Sequence, residues 1–109
     1  MNSRVKLLLG LSCGVALLAF DAFAAETLAI SQKKRTFNPL EIEIHKGDTL
    51  HIVNDDQFTH QVYVDNPGFK FESAESDPGN FVDIKFTTAG SFDVLCHIHP
   101  KMKLHVTVQ

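Results

Sequence analysis

An all-β sandwich or barrel is the fold this sequence predicts. Three observations lead there: apolar and polar residues alternate in one short run after another, turn residues separate those runs at even spacing, and no repeat, linker or low-complexity tract interrupts them. The first run covers 27–31. In the second, Leu40, Ile42 and Ile44 alternate with Glu41, Glu43 and His45, and Lys46-Gly47-Asp48 turns the chain tightly into a third run at 50–54. A polar loop follows at 55–58, then a run at 61–64. The stretch 65–79, with its Asn66-Pro67-Gly68 and Asp77-Pro78-Gly79 turns, reads as a loop with room for one helical turn. The run 80–86 is expected to be answered by the run 91–96 through Thr88-Ala89-Gly90, and 103–108 closes the series.

The amino end is a different kind of segment. Arg4 and Lys6 precede an apolar stretch of fourteen residues, Leu7 to Phe20. A membrane-spanning helix needs about 20. The basic start, the apolar middle and the small-residue site Ala22-Phe23-Ala24 instead read as an export signal over residues 1–24, removed to leave a single domain at 25–109. A lipidation site at Cys13 is the rival reading, and the apolar stretch before it is very short. The remaining 85 residues suffice for one modest core. With eight basic against twelve acidic side chains they carry a net charge of −4, and nothing in them points to nucleic acid or to stable membrane insertion.

Removal of the leader leaves Cys96 as the sole thiol of an exported protein, so no internal disulfide can form. A leftover cysteine there is an intermolecular bridge, a reactive thiol, a buried small hydrophobe or a metal ligand. Its neighbours favour the last. In Cys96-His97-Ile98-His99-Pro100-Lys101-Met102, a loop between two strands sets Cys96, His99 and Met102 at three-residue intervals, from which their side chains can converge. Thiolate, imidazole and thioether form a soft ligand set suited to copper, and a trigonal His₂Cys site with a weak axial methionine needs a second histidine. His60, where the loop after Asn54 enters the next run, is the candidate.

At these residues the chain resembles the cupredoxins, and in particular the amicyanin-like group. The run from Asn54 to His60 looks like the stretch carrying the first copper histidine, and Cys96-x-x-His99-x-x-Met102 has the short-loop spacing of amicyanins rather than the longer one of plastocyanins and pseudoazurins. The resemblance implies a Greek-key β-sandwich of about seven to eight strands holding one copper ion between His60, Cys96, His99 and Met102. It further implies a monomeric periplasmic one-electron carrier, not an enzyme, in which His99 reaches the surface through an apolar patch for which Phe58 and Pro100 are candidates. An amine dehydrogenase as donor and a c-type cytochrome as acceptor would be its partners.

Three residues depart from the family pattern. Gln61 stands where asparagine is usual, and a bridge from it to the His97 imidazole is expected to tie the two ligand loops. His97 and Ile98 replace the usual Thr or Ser and Pro, restoring a backbone N–H at Ile98. Lys101 puts a charge beside the electron port, which alters the docking face. His97 itself should point away from the metal, since successive side chains of an extended chain face opposite ways. His45, His51 and His105 read as solvated, with a second surface metal site or copper buffering as the alternative. A Cys96–His99 nucleophilic pair has no orienting third group in this reading.

Overall fold

The computed structural model describes residues 24–109, so the proposed leader and its Cys13 fall outside the described residues but for Ala24. Nine strands and no helix occur among the described residues: β1 (Thr27–Lys33), β2 (Thr36–Asn38), β3 (Glu41–Ile44), β4 (Thr49–Asn54), β5 (Tyr63–Asn66), β6 (Phe69–Glu72), β7 (Phe81–Lys85), β8 (Gly90–Leu95) and β9 (Lys103–Val108). They form an all-β sandwich of two sheets, ordered β2-β1-β4-β7 and β3-β9-β8-β5-β6.

Alternation decides which side chains fill the space between the sheets. In β4, Leu50, Ile52 and Asn54 point inward while His51 and Val53 lie on the other face. In β9, Leu104, Val106 and Val108 do the same, and the core is completed by Ile30, Phe37, Ile44, Val62, Val64, Ile84, Phe86, Phe92 and Val94. Phe86 packs 5.0 Å from Phe69 and 5.8 Å from Phe92 between ring centres. Offset and tilted ring pairs of this kind suit the ring quadrupoles better than face-to-face stacks.

The structure corrects three sequence-based expectations. The stretch 65–79 is not all loop: Asn66-Pro67-Gly68 turns β5 back on β6, and Phe69 and Phe71 pack against the core. The runs at 40–45 and 50–54 do join tightly, but β3 and β4 lie in different sheets, as do β7 and β8, so neither turn makes a hairpin. Instead β3 runs parallel to β9 and β1 parallel to β4. Turns that cross from sheet to sheet are what wrap so short a chain around one core. The count of nine exceeds the seven or eight expected because β2 is only three residues long and β6 follows a turn.

The β3–β4 crossing depends on Gly47 and Asp48. Gly47 takes a φ of +98°, open to glycine at little cost, and its N–H reaches Phe86 carbonyl at 2.7 Å. The buried Asp48 carboxylate accepts the N–H groups of Glu26 at 2.9 Å and His45 at 2.8 Å, clamping the start of β1 to the turn. Those two bonds hold its carboxyl below the usual carboxylate range. A depressed folded-state pKa means that this stabilisation is fully present above the unfolded value of about 3.9 and is lost as pH falls through the folded value. Asp48→Asn should therefore melt several degrees lower at neutral pH and lose less further stability on acidification than the native chain. Parallel acid slopes in thermal melts of the two proteins would show that the clamp does not contribute.

Candidate metal centre

Two loops at one end of the sandwich build the site. The first leaves β4 at Asn54, whose buried side chain organises it: Nδ2 donates to the carbonyls of Phe58 at 2.7 Å and Ser76 at 2.8 Å, and Oδ1 accepts the Asp56 N–H at 2.9 Å. His60 is then held by paired backbone bonds with Ser76, at 2.9 and 2.7 Å, and its side chain is wholly buried. The second loop leaves β8 beside Tyr63 of β5, carries buried Cys96, and is closed by the Met102 N–H donating to the His99 carbonyl at 3.0 Å before β9 begins.

These loops bring His60, Cys96 and His99 together, with one ligating atom from each lying within 4.8 Å of the other two. Cys96 Sγ is 3.9 Å from His99 Nδ1, and the two imidazole centres are 4.9 Å apart. Among the described residues this is the one cluster of three such side chains able to hold a metal ion. Met102 is buried in the same turn and, with Arg35, His99, Pro100 and Lys101, lines a mostly apolar depression over the site.

The nitrogens of His60 distinguish a metal site from a merely buried histidine. Nε2 lies 2.8 Å from Asp56 Oδ2, whereas Nδ1 is buried with no hydrogen-bond partner. A carboxylate only accepts, so the imidazole donates Nε2–H and leaves Nδ1 as the nitrogen whose lone pair is open to a metal at the cluster. An unpartnered buried acceptor costs about 1–3 kcal/mol, and a cation at the cluster removes that cost. One thiolate and two imidazoles are compatible with one copper ion.

Asp56 was not singled out in the sequence, where it belongs to a polar loop; its four-residue spacing from His60 was the one available signal. Its carboxylate also accepts the N–H of Lys34 at 2.7 Å and of Arg35 at 2.8 Å. Both residues sit in the left-handed region, with φ of +57° and +55°, in the β1–β2 turn. Burial pushes the Asp56 carboxyl up, but the bonds from Arg35, His60 and Lys34 outweigh it and hold the group below the usual range. Burial, aided by the charges of His60 and Arg35, pushes the His99 imidazole down from its ordinary value.

The remaining histidines stand apart. His97 points outward and stacks on Tyr63, ring centres 3.7 Å apart and planes 5° from parallel. Gln61 does tie the loops, but by accepting the His97 backbone N–H at 3.3 Å rather than by meeting its imidazole, while Gln61 Nε2 donates to the carbonyls of Val62 and Ser73. His51 and His105 face Asp83 and Asp93 at 2.7 and 3.0 Å, and His45 lies 3.9 Å from Asp48.

A sequence model of the cupredoxin-like domain matches residues 7–108. No curated protein matches the chain. Among solved structures, a copper-containing nitrite reductase from Thermus scotoductus SA-01 is similar at 27% identity and a TM-score of 0.69; the match takes in 76% of this chain but only 22% of that enzyme. A purple cupredoxin from Nitrosopumilus maritimus matches at 24% identity and a TM-score of 0.68, over 75% of this chain and 99% of that one. A Cu(I) mutant of amicyanin matches at 22% identity and a TM-score of 0.70, over 84% and 88%. The two-sheet fold, the His-Cys-His cluster and the match along nearly the whole sequence agree, and the chain belongs to the cupredoxin-like domain family.

Proposed function

We propose that this protein is a periplasmic one-electron carrier of the amicyanin-like kind, which would bind one copper ion through His60, Cys96 and His99 with Met102 as a weaker fourth donor. The observation that carries the reading is the orphaned Nδ1 of His60, wholly buried and set among the two other donors. When bound, copper supplies a one-electron change between Cu(I) and Cu(II).

The chain's own residues suit that task. Cys96 and His60 are buried, so water is kept from the thiolate and the first imidazole. The bonds of Asn54, Asp56 and Ser76 hold His60 in one orientation, and Gln61 fastens the loop of Cys96 to the loop of His60. A frame that does not rearrange when the charge at its centre changes keeps electron exchange fast. Four protein donors leave no position for a substrate, which argues against catalysis at the centre. The nitrite reductase similarity extends to about a fifth of that enzyme and supports the fold alone for this purpose. His99 is the side chain nearest solvent among the proposed ligands, with Phe58 6.4 Å away in edge contact, and it is the proposed port for electrons. An amine dehydrogenase donor and a c-type cytochrome acceptor fit the amicyanin-like reading. Copper buffering would call for further clusters of donors, whereas His51 and His105 each face a carboxylate on a neighbouring strand.

With copper bound, Cys96 would provide the charge-transfer colour of the site. Cys96→Ser loaded with Cu(II) should lose the intense visible absorption; a variant as coloured as the native protein would refute the ligand set. Met102 should tune the centre rather than retain the metal, because a thioether would be the weakest of the four donors. Met102→Gln is expected to keep one copper per chain with a lower midpoint potential by voltammetry, and an unchanged potential would show that Met102 is not a donor.

A further inference from the structure

The surface around His99 carries a charge opposite to that of the domain. Phe58 and Ile98 are each 41% exposed, and both belong to the loops of the site. The Arg35 guanidinium lies 4.0 Å over the Phe58 ring. Arg35 also lines one depression with His99, Pro100 and Lys101. Among the described residues neither Arg35 nor Lys101 is ion-paired. Lys34 stands beside Arg35 in the β1–β2 turn and is exposed.

The nearest carboxylates do not cancel this charge at the surface. Asp56 is buried and engaged with His60 and two backbone N–H groups. Asp55 accepts from the Ser31 hydroxyl, and Asp65 and Glu72 line a separate depression beside His97. Asp77 accepts from the Thr59 hydroxyl at 3.2 Å and is the one exposed carboxylate hydrogen-bonded next to Phe58 among the described residues. In a domain of net charge −4, Arg35 and Lys101 thus stand beside His99 where it approaches solvent, with Lys34 next to Arg35 in the turn.

Resting on the electron-carrier reading above, we propose that this face docks a soluble redox protein whose own electron-exchanging edge is ringed by carboxylates. Phe58, Ile98 and Pro100 supply a flat apolar contact, while Arg35, Lys34 and Lys101 supply a cationic rim. Arginine held over an aromatic ring is preorganised for a carboxylate, since its guanidinium plane is already fixed and weakly hydrated. Apolar centres with charged rims gain their speed from electrostatic steering and their close approach from the dry middle. A second copy of this chain would present the same cations and be repelled. The reaction is the passage of one electron from the reduced protein to a ferric haem, giving the oxidised protein and a ferrous haem, with no bond or proton exchanged.

The test uses two c-type cytochromes of opposite net charge, one acidic and one basic, mixed by stopped flow with the copper-loaded protein at low and high salt. The acidic cytochrome should react faster, with a rate constant that falls roughly tenfold from low to physiological salt, as expected when attraction is screened beyond about 10 Å. The pair of substitutions Arg35→Gln and Lys101→Gln should abolish most of that salt dependence while leaving the visible spectrum native, with the midpoint potential measured in each protein so that rates are compared at equal driving force. Faster reaction with the basic cytochrome, no salt dependence, or native rates in the double variant would overturn the docking proposal and leave the carrier reading standing. Failure of both cytochromes to exchange electrons with the native protein would overturn both.

Discussion

The hydrogen bond from His60 Nε2 to the Asp56 carboxylate is the constraint on which the centre depends. It fixes which nitrogen carries a proton, and by doing so it leaves the other open to a metal at the cluster. The bond is itself supported. Asp56 would be costly to bury alone, and three N–H donors, from Lys34, Arg35 and His60, compensate its charge. Two of the donors come from the β1–β2 turn, so the shape of a turn on the far side of the loop reaches the metal ligands through one carboxylate.

That arrangement explains how a sandwich with a small core can hold a rigid site. The ligand loops are short of regular structure, and each is fastened from the side by a buried polar side chain. Asn54 ties the loop of His60 to Ser76, and Gln61 ties the loop of Cys96 to the loop of His60. The same turn that supplies N–H groups inward presents Lys34 and Arg35 outward. Anchoring the centre and charging its docking face are therefore consequences of one local structure.

Much of this was legible in the sequence, and the boundary is physical. Local patterns carried through: alternation marked seven of the strands, and the three-residue spacing of Cys96, His99 and Met102 marked the ligand loop because both depend only on near neighbours. His60 was legible as the histidine entering the next strand. What depends on distant pairing was hidden. Phe69 and Phe71 alternate with Lys70 and Glu72 over just four residues, and the flanking turn signals masked β6. The partition of β3 from β4 and of β7 from β8 is set by which core faces meet, not by the turns between them. Asp56 looked like one more polar loop residue because its role comes from a hairpin some twenty residues earlier. Gln61 ties the loops through the His97 backbone rather than its imidazole, because that ring is taken up by Tyr63, a pairing between distant strands.

The central claim is that Asp56 sets the protonation of His60 so that Nδ1 faces the metal. Long-range proton–nitrogen NMR of the metal-free protein near neutral pH, on ¹⁵N-histidine-labelled chain, reads that directly. His60 should show a protonated Nε2 and an unprotonated Nδ1, and adding Cu(I) should shift Nδ1 while Nε2 keeps its proton. A proton on Nδ1 before the metal is added, or a metal-induced shift confined to Nε2, would contradict the account.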